Sequence, residues 1–253
     1  DRPRIFVLDF DGDIKASAVS CLRREITAIL SLAGEQDELV VRLESGGGMV
    51  HAYGLAASQL QRIKDAGVTL TVCVDKVAAS GGYMMACVAN KLMAAPFAII
   101  GSIGVVAQIP NFHRLLKKND VDFELITAGE YKRTLTLFGE NTEKGRAKFV
   151  EDIEEIHVLF KEFVAEQRPN LEVEKVATGE IWFGQRAIDK QLVDELITSD
   201  EYIARACDDA DVFEVKYVEK KSIPERFGIA AQAALDNTLL KWLDRGRSSR
   251  YIT

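Results

Sequence analysis

Along the first third of the chain the apolar positions switch repeatedly between a strand-like run and a helical spacing, and that switching predicts the order of elements. Arg4 to Phe10 reads as a short apolar strand. From Ala16 to Leu32, Val19, Leu22, Ile26 and Ile29 recur at helical intervals and fall on one face. Leu39 to Leu43 is a second strand, followed by the glycine turn Gly46-Gly47-Gly48 and a helix from about Met49 to Lys64. Val68 to Val74 is a third strand, feeding a turn at Ser80 and a small-residue helix through Met84, Met85 and Cys87. Strands alternating with helices at this spacing indicate an α/β domain with parallel pairing. Two strand-to-helix turns are glycine-rich, at residues 46–48 and 81–82, and ligand sites in such domains commonly sit at the carboxyl ends of strands.

The second half is less regular. Leu92 to Ala95 and Ala98 to Ile100 read as short strands around Pro96, Asn111 to Lys118 as a short helix, and Phe123 to Thr127 as another strand. Thr142 opens a long amphipathic helix reaching about Gln167, with Phe149, Ile153, Ile156, Phe160 and Val164 recurring every three or four residues. Pro169 closes it. Pro224 opens a final helix carrying Leu235, Leu239, Leu240 and Trp242. No linker, low-complexity tract or internal repeat divides the chain. The expectation is one domain over residues 1–253, with a helical tail over 224–245 that covers its own core or packs on a neighbouring subunit.

Composition narrows the classes. A hydrophobic content of 47% supports a substantial core and argues against disorder, and a formal charge of −7 gives no reason to expect nucleic acid as a partner. No apolar run approaches the roughly 18–20 residues of a membrane-spanning helix. The chain begins at Asp1 rather than Met, so it reads as a processed or trimmed piece, with any signal peptide or anchor upstream. Cys21, Cys73, Cys87 and Cys207 have neither metal-ligand spacing nor the density of a disulfide scaffold, and Cys73 and Cys87 lie in apolar segments as small core residues. Gly46-Gly47-Gly48 lacks the lysine and Ser/Thr of a phosphate loop. No metal or other cofactor is expected.

The candidate chemistry centres on Ala78-Ala79-Ser80-Gly81-Gly82-Tyr83. A serine at a strand-to-helix turn can expose its hydroxyl and aim neighbouring backbone N–H groups at a bound carbonyl, the arrangement acyl transfer needs. The same letters also make an ordinary turn, so the chemistry depends on a base. His157 lies inside the long helix, as an ordinary surface or interface residue; His51 follows the first glycine turn and His113 opens a short helix, and neither is marked as a base nor excluded. Lysine is the other solution. To be half neutral near pH 7.5, a lysine amine must fall about 3 units from its ordinary value of about 10.4, which takes substantial burial. Lys132 follows Gly129-Glu130-Tyr131 just after an apolar run, and its plain alternative is an exposed loop lysine.

Several ordered segments together resemble the bacterial signal peptide peptidase family of serine proteases, peptidase family S49. They are Arg42-Leu43-Glu44-Ser45-Gly46-Gly47-Gly48, Asp75-Lys76-Val77-Ala78-Ala79-Ser80-Gly81-Gly82-Tyr83, Gly101-Ser102-Ile103-Gly104-Val105 and Gly129-Glu130-Tyr131-Lys132, then Gly184-Gln185-Arg186-Ala187 and Leu192-Val193-Asp194-Glu195. Gly46 departs from the pattern, since many members carry proline there. The resemblance implies an α/β fold of the ClpP/crotonase type, built of repeated ββα-type units. It implies Ser80 as nucleophile, Lys132 as general base, Ser102 as the hydroxyl that orients the lysine, and the backbone N–H groups of Gly47 and Gly81 as the oxyanion hole. It further implies cleavage of hydrophobic peptides such as remnant signal peptides, homo-oligomerisation, and attachment to the bacterial inner membrane with a periplasmic catalytic domain. Met49, Val50, Tyr83 and Met84 are candidates for a hydrophobic cleft, with core packing the plainer role for Met84. Two other readings stand beside this one: a crotonase-like acyl-CoA enzyme, which has no need of a serine paired with a distant lysine, and a non-catalytic scaffold on the same fold.

Overall fold

The computed structural model of the chain describes residues 2–218. The chain separates into two units, Asp1–Lys216 and Tyr217–Thr253, and every element of secondary structure described belongs to the first. The helix expected over 224–245 lies outside the described residues. In chain order the elements are β1 (Arg4–Gly12), α1 (Val19–Leu30), β2 (Glu38–Ser45), α2 (Val50–Asp65), β3 (Thr69–Val74), β4 (Val77–Ala79), α3 (Gly81–Ala86), β5 (Lys91–Ala94), β6 (Ile99–Gly101) and α4 (His113–Lys118). There follow α5 (Glu143–Gln167), α6 (Val173–Val176), β7 (Ile181–Phe183), α7 (Gly184–Ala187), β8 (Glu195–Leu196), α8 (Ser199–Asp209) and β9 (Asp211–Glu214).

The strand alternation sorts side chains onto two faces of the sheet. Phe6, Leu8 and Phe10 of β1 and Leu39, Val41 and Leu43 of β2 join the main core with Leu22, Ile26 and Ile29 of α1 and Leu60 and Ile63 of α2. The intervening Ile5, Val7 and Val40 face the other way, onto Cys73, Met93, Ile197 and the α8 side chains Tyr202, Ile203 and Ala206. The sheet is therefore covered on both faces, the usual condition for parallel strands.

One topological detail positions the site. Strand β1 lies along one side of β2 in continuous parallel register, from Ile5 opposite Glu38 to Gly12 opposite Ser45. The other side of β2 is divided, since β3 pairs with Glu38 to Arg42 and β4 pairs at Ser45. The sheet branches there. One arm continues through β5 to β8, all parallel, and the other through β6 to β7, with β7 antiparallel. Strand β9 pairs with the free side of β1.

Helix α5 begins where expected: the Thr142 hydroxyl accepts from the Gly145 N–H at 3.1 Å, and Pro169 follows the last turn. The strand expected over Phe123–Thr127 does not form. No strand among the described residues pairs with it, and Phe123, Leu125 and Ile126 are exposed, Ile126 by 90%. No helix among the described residues is long and apolar enough to cross a membrane.

Candidate active site

Sheet register brings four of the sequence-predicted residues together. Ser45 pairs with Ala78, so the turn after β2 lies beside the turn after β4. Ala79 pairs with Gly101, so Ser80 and Ser102 leave adjacent parallel strands side by side, about 5 Å apart at the backbone. Ser80 sits between β4 and α3 with φ 53° and ψ −119°, and Ser102 also has a positive φ of 52°. Such a backbone costs a non-glycine residue about 1–3 kcal/mol and persists only where its surroundings enforce it. Here the Ser80 N–H donates to the Gly101 carbonyl at 2.8 Å, and the Ser80 carbonyl accepts from the Met84 N–H at 2.9 Å. The Ser102 N–H donates to the Glu180 carbonyl at 2.6 Å. The serine turn is held from both ends.

Gly47 closes against this turn. Its φ is +87°, and a Cβ there would lie 2.6 Å from the Gly81 nitrogen and 2.8 Å from Ser80 Cβ, so only glycine allows the approach. Its N–H, the donor that the family resemblance assigns to an oxyanion, donates to Ser45 Oγ at 3.1 Å. Gly48, assigned no role of its own from the sequence, lines the cleft beside Ser80 and Gly81.

That cleft has a volume of about 320 Å³. Met49, Val50 and Met84, Gly104 to Ala107, and Phe149, Ile153, Ile156 and Phe160 of α5 line it together with Ser80. Its one carboxylate, Asp152, pairs with Lys148 at 3.1 Å. Expectations for Met49, Val50 and Met84 hold, with Met84 serving core and cleft together. Tyr83 does not: it is fully buried, its hydroxyl donates to the Leu192 carbonyl at 2.9 Å, and burial pushes its phenol far up. Cys73 and Cys87 are buried core thiols, each pushed up to about 12 by burial.

The candidate bases lie elsewhere. His51, His113 and His157 are all absent from the cleft lining. Lys132 is exposed, in a turn where its N–H donates to the Gly129 carbonyl at 3.2 Å, and no hydrogen bond joins it to Ser80 or Ser102. The first turns of α5 tether that turn: Lys144 pairs with Glu130, holding its carboxyl below the usual range, and Lys144 and Lys148 lie 6.0 and 5.9 Å from the Tyr131 ring centre. The structure thus joins Gly47, Ser80, Gly81 and Ser102 and leaves Lys132 on the surface.

Comparison with known proteins is decisive on the family. The pattern of Peptidase family S49 matches residues 62–213, and that of Peptidase family S49 N-terminal matches residues 1–60. The chain belongs to peptidase family S49. Within S49, the chain is 59% identical over 238 residues to "Probable protease SohB" of Haemophilus influenzae, covering 94% of this chain and 67% of that protein. It is 54% identical over 241 residues to "Probable protease SohB" of Buchnera aphidicola subsp. Acyrthosiphon pisum, covering 95% and 72%. The chain thus spans about two thirds of the length of these S49 relatives. Among solved structures, a mutant of the 1510-N membrane-bound stomatin-specific protease superposes with a TM-score of 0.57 at 13% identity, covering 86% of this chain and all of that one. The ClpP-like α/β fold expected of an S49 member is the fold observed.

Proposed function

We propose that this S49 chain is a serine endopeptidase in which Ser80 is the nucleophile and Lys132 the general base. The observation that carries the reading is the strained Ser80 turn opening onto an apolar cleft between the Gly48 and Gly81 backbones. Ser80 Oγ attacks the peptide carbonyl as Lys132 takes its proton, and the resulting oxyanion is bound by the backbone N–H groups of Gly81 and the Gly47–Gly48 turn. Because the Gly47 N–H is committed to Ser45 Oγ, Gly48 is the donor on that turn and Gly47 shapes it. As the oxyanion collapses, the peptide C–N bond breaks and Lys132 passes its proton to the leaving amine, leaving the acyl group on Ser80; the neutral lysine then takes a proton from the attacking water and returns it to Ser80 Oγ as the ester bond breaks. Ser102, beside Ser80 on the next strand, orients the amine.

An exposed lysine becomes a base only when water is removed from it. Leu125, Ile126, Tyr131, Leu137 and Phe138, all exposed on the segment that carries Lys132, are the surface a second copy of the chain would cover. Homo-oligomerisation is therefore part of the proposal. The apolar cleft favours hydrophobic peptides such as remnant signal peptides, and attachment to the bacterial inner membrane with a periplasmic catalytic domain remains the expected setting. A fluorophosphonate probe tests the chemistry. Labelling at Ser80, abolished in Ser80→Ala and strongly slowed in Lys132→Ala, supports the dyad. Cleavage of an apolar peptide at the unmodified rate by either variant refutes it.

A further inference from the structure

Beneath the serine turn lies a buried pair of hydroxyls that acyl transfer itself does not use. Tyr53, on the first turn of α2, and Ser45, at the end of β2, are both buried, and their oxygens are 2.5 Å apart. Tyr53 Oη donates to the Asp13 carbonyl at 2.7 Å, and Ser45 Oγ accepts from the Gly47 N–H at 3.1 Å. Each hydroxyl has a single proton. Since Tyr53 gives its proton to Asp13, the short contact is filled by Ser45 donating to Tyr53, with the Gly12 carbonyl at 3.3 Å a weaker second acceptor. One directed chain results, from the Gly47 N–H through Ser45 and Tyr53 to the Asp13 carbonyl. Hydroxyls that accept and donate in series strengthen one another, and the low dielectric makes any broken link costly. Burial pushes the Tyr53 phenol up, so it stays protonated and remains a donor.

The same tyrosine supports the other half of the site. A Cβ on Gly81 would lie 2.5 Å from Tyr53 Cγ, so the ring packs directly against the Gly81 backbone. The Met49 N–H, one residue beyond Gly48, donates to the Ile14 carbonyl at 2.9 Å, which ties the glycine turn to the loop that also holds the Tyr53 hydroxyl.

We infer that Tyr53 is a positioning residue for the oxyanion site, its ring seating Gly81 and its hydroxyl, through Ser45, holding the Gly46–Gly48 turn at the distance that Ser80 chemistry requires. The inference rests on Ser80 being the nucleophile. It predicts a defect expressed in the transition state rather than in substrate binding, because the oxyanion forms only after attack.

Tyr53→Phe keeps the ring and removes the link, and Ser45→Ala removes the same link from its other end. Activity is measured with an apolar fluorogenic peptide and divided by the endpoint of fluorophosphonate labelling, which counts folded, reactive sites. Losing a whole oxyanion donor costs roughly 10²–10³ in kcat, so a displaced one is expected to lower kcat per site about tenfold in each variant, with KM unchanged. Affinity for a peptide aldehyde, whose adduct places an oxygen in the oxyanion position, falls by the same factor as kcat/KM. The double variant is no worse than either single one, since both break one chain. Unchanged kcat per site in both single variants, or a double-variant loss equal to the product of the two, overturns the positioning role while leaving the nucleophile intact. Failure of the unmodified protein to label at Ser80 overturns both.

Discussion

Replacing Gly47 by alanine tests the glycine turn as a steric support of the nucleophile. The new Cβ would stand 2.6 Å from the Gly81 nitrogen and 2.8 Å from both the Ala79 carbonyl oxygen and Ser80 Cβ, where ordinary contact begins at 3.4 Å. None of these atoms belongs to a flexible side-chain end, so the two turns must part by roughly 0.8 Å. A left-handed backbone costs an L residue about 1–2 kcal/mol. Overpacking of a well-packed site adds typically 1–3 kcal/mol. The sum, about 2–5 kcal/mol, corresponds to a fall in Tm of roughly 4–20 °C for a domain of this size. A displacement near 1 Å at a reacting centre costs about 10² in rate. Gly47→Ala is therefore expected to melt earlier by thermal denaturation and, assayed well below its own Tm, to lose about 10² in kcat/KM on an apolar peptide. A variant with unchanged Tm and unchanged kcat/KM refutes the claim that this turn bears on the serine.

Other outcomes follow from separate parts of the molecule. Ile156→Trp narrows the cleft from the α5 side, so KM is expected to rise for peptides with large apolar side chains while small ones and Ser80 labelling are spared; a uniform loss across substrates counts against α5 as a specificity wall. Asp37 is buried and held below the usual carboxylate range by its hydrogen bond with the Arg4 guanidinium and by the Gly34 and Arg4 N–H groups. A carboxyl lowered in the fold binds fewer protons there than in the unfolded chain. Its contribution is therefore present above the ordinary value of about 3.9 and lost as pH falls through the folded value. Asp37→Asn should lower Tm at neutral pH and flatten its acid-side decline, and parallel Tm curves for the two proteins contradict that assignment.

How much of this was legible in the sequence depends on the range of the interaction involved. Helix α5 was readable because Thr142, the three-and-four spacing and Pro169 act within a turn or two of themselves. The alternation of β1, α1, β2, α2 and β3 was readable for the same reason, and so was the serine-glycine turn. Residues 123–127 carry a strand-like composition yet form none, because a strand is made by its partner and none of the described strands pairs with them. The role of α5 as cleft wall, the branching of the sheet at β2 and the commitment of the Gly47 N–H to Ser45 all depend on which segments the fold sets side by side.

The sequence by itself determined the α/β class, the order of the elements from β1 to β3, the long helix α5 and the residues able to do chemistry, since backbone preference and apolar periodicity are local properties of the chain. Tertiary structure alone decided which of those residues meet. Parallel register set Ser80 beside Ser102 and Gly47 against Gly81, and it buried Tyr53 where its ring and hydroxyl reach both glycine turns. It also left Lys132 exposed. Order along a chain does not set distance in space, and an amine acquires the dryness of a base only from what packs over it.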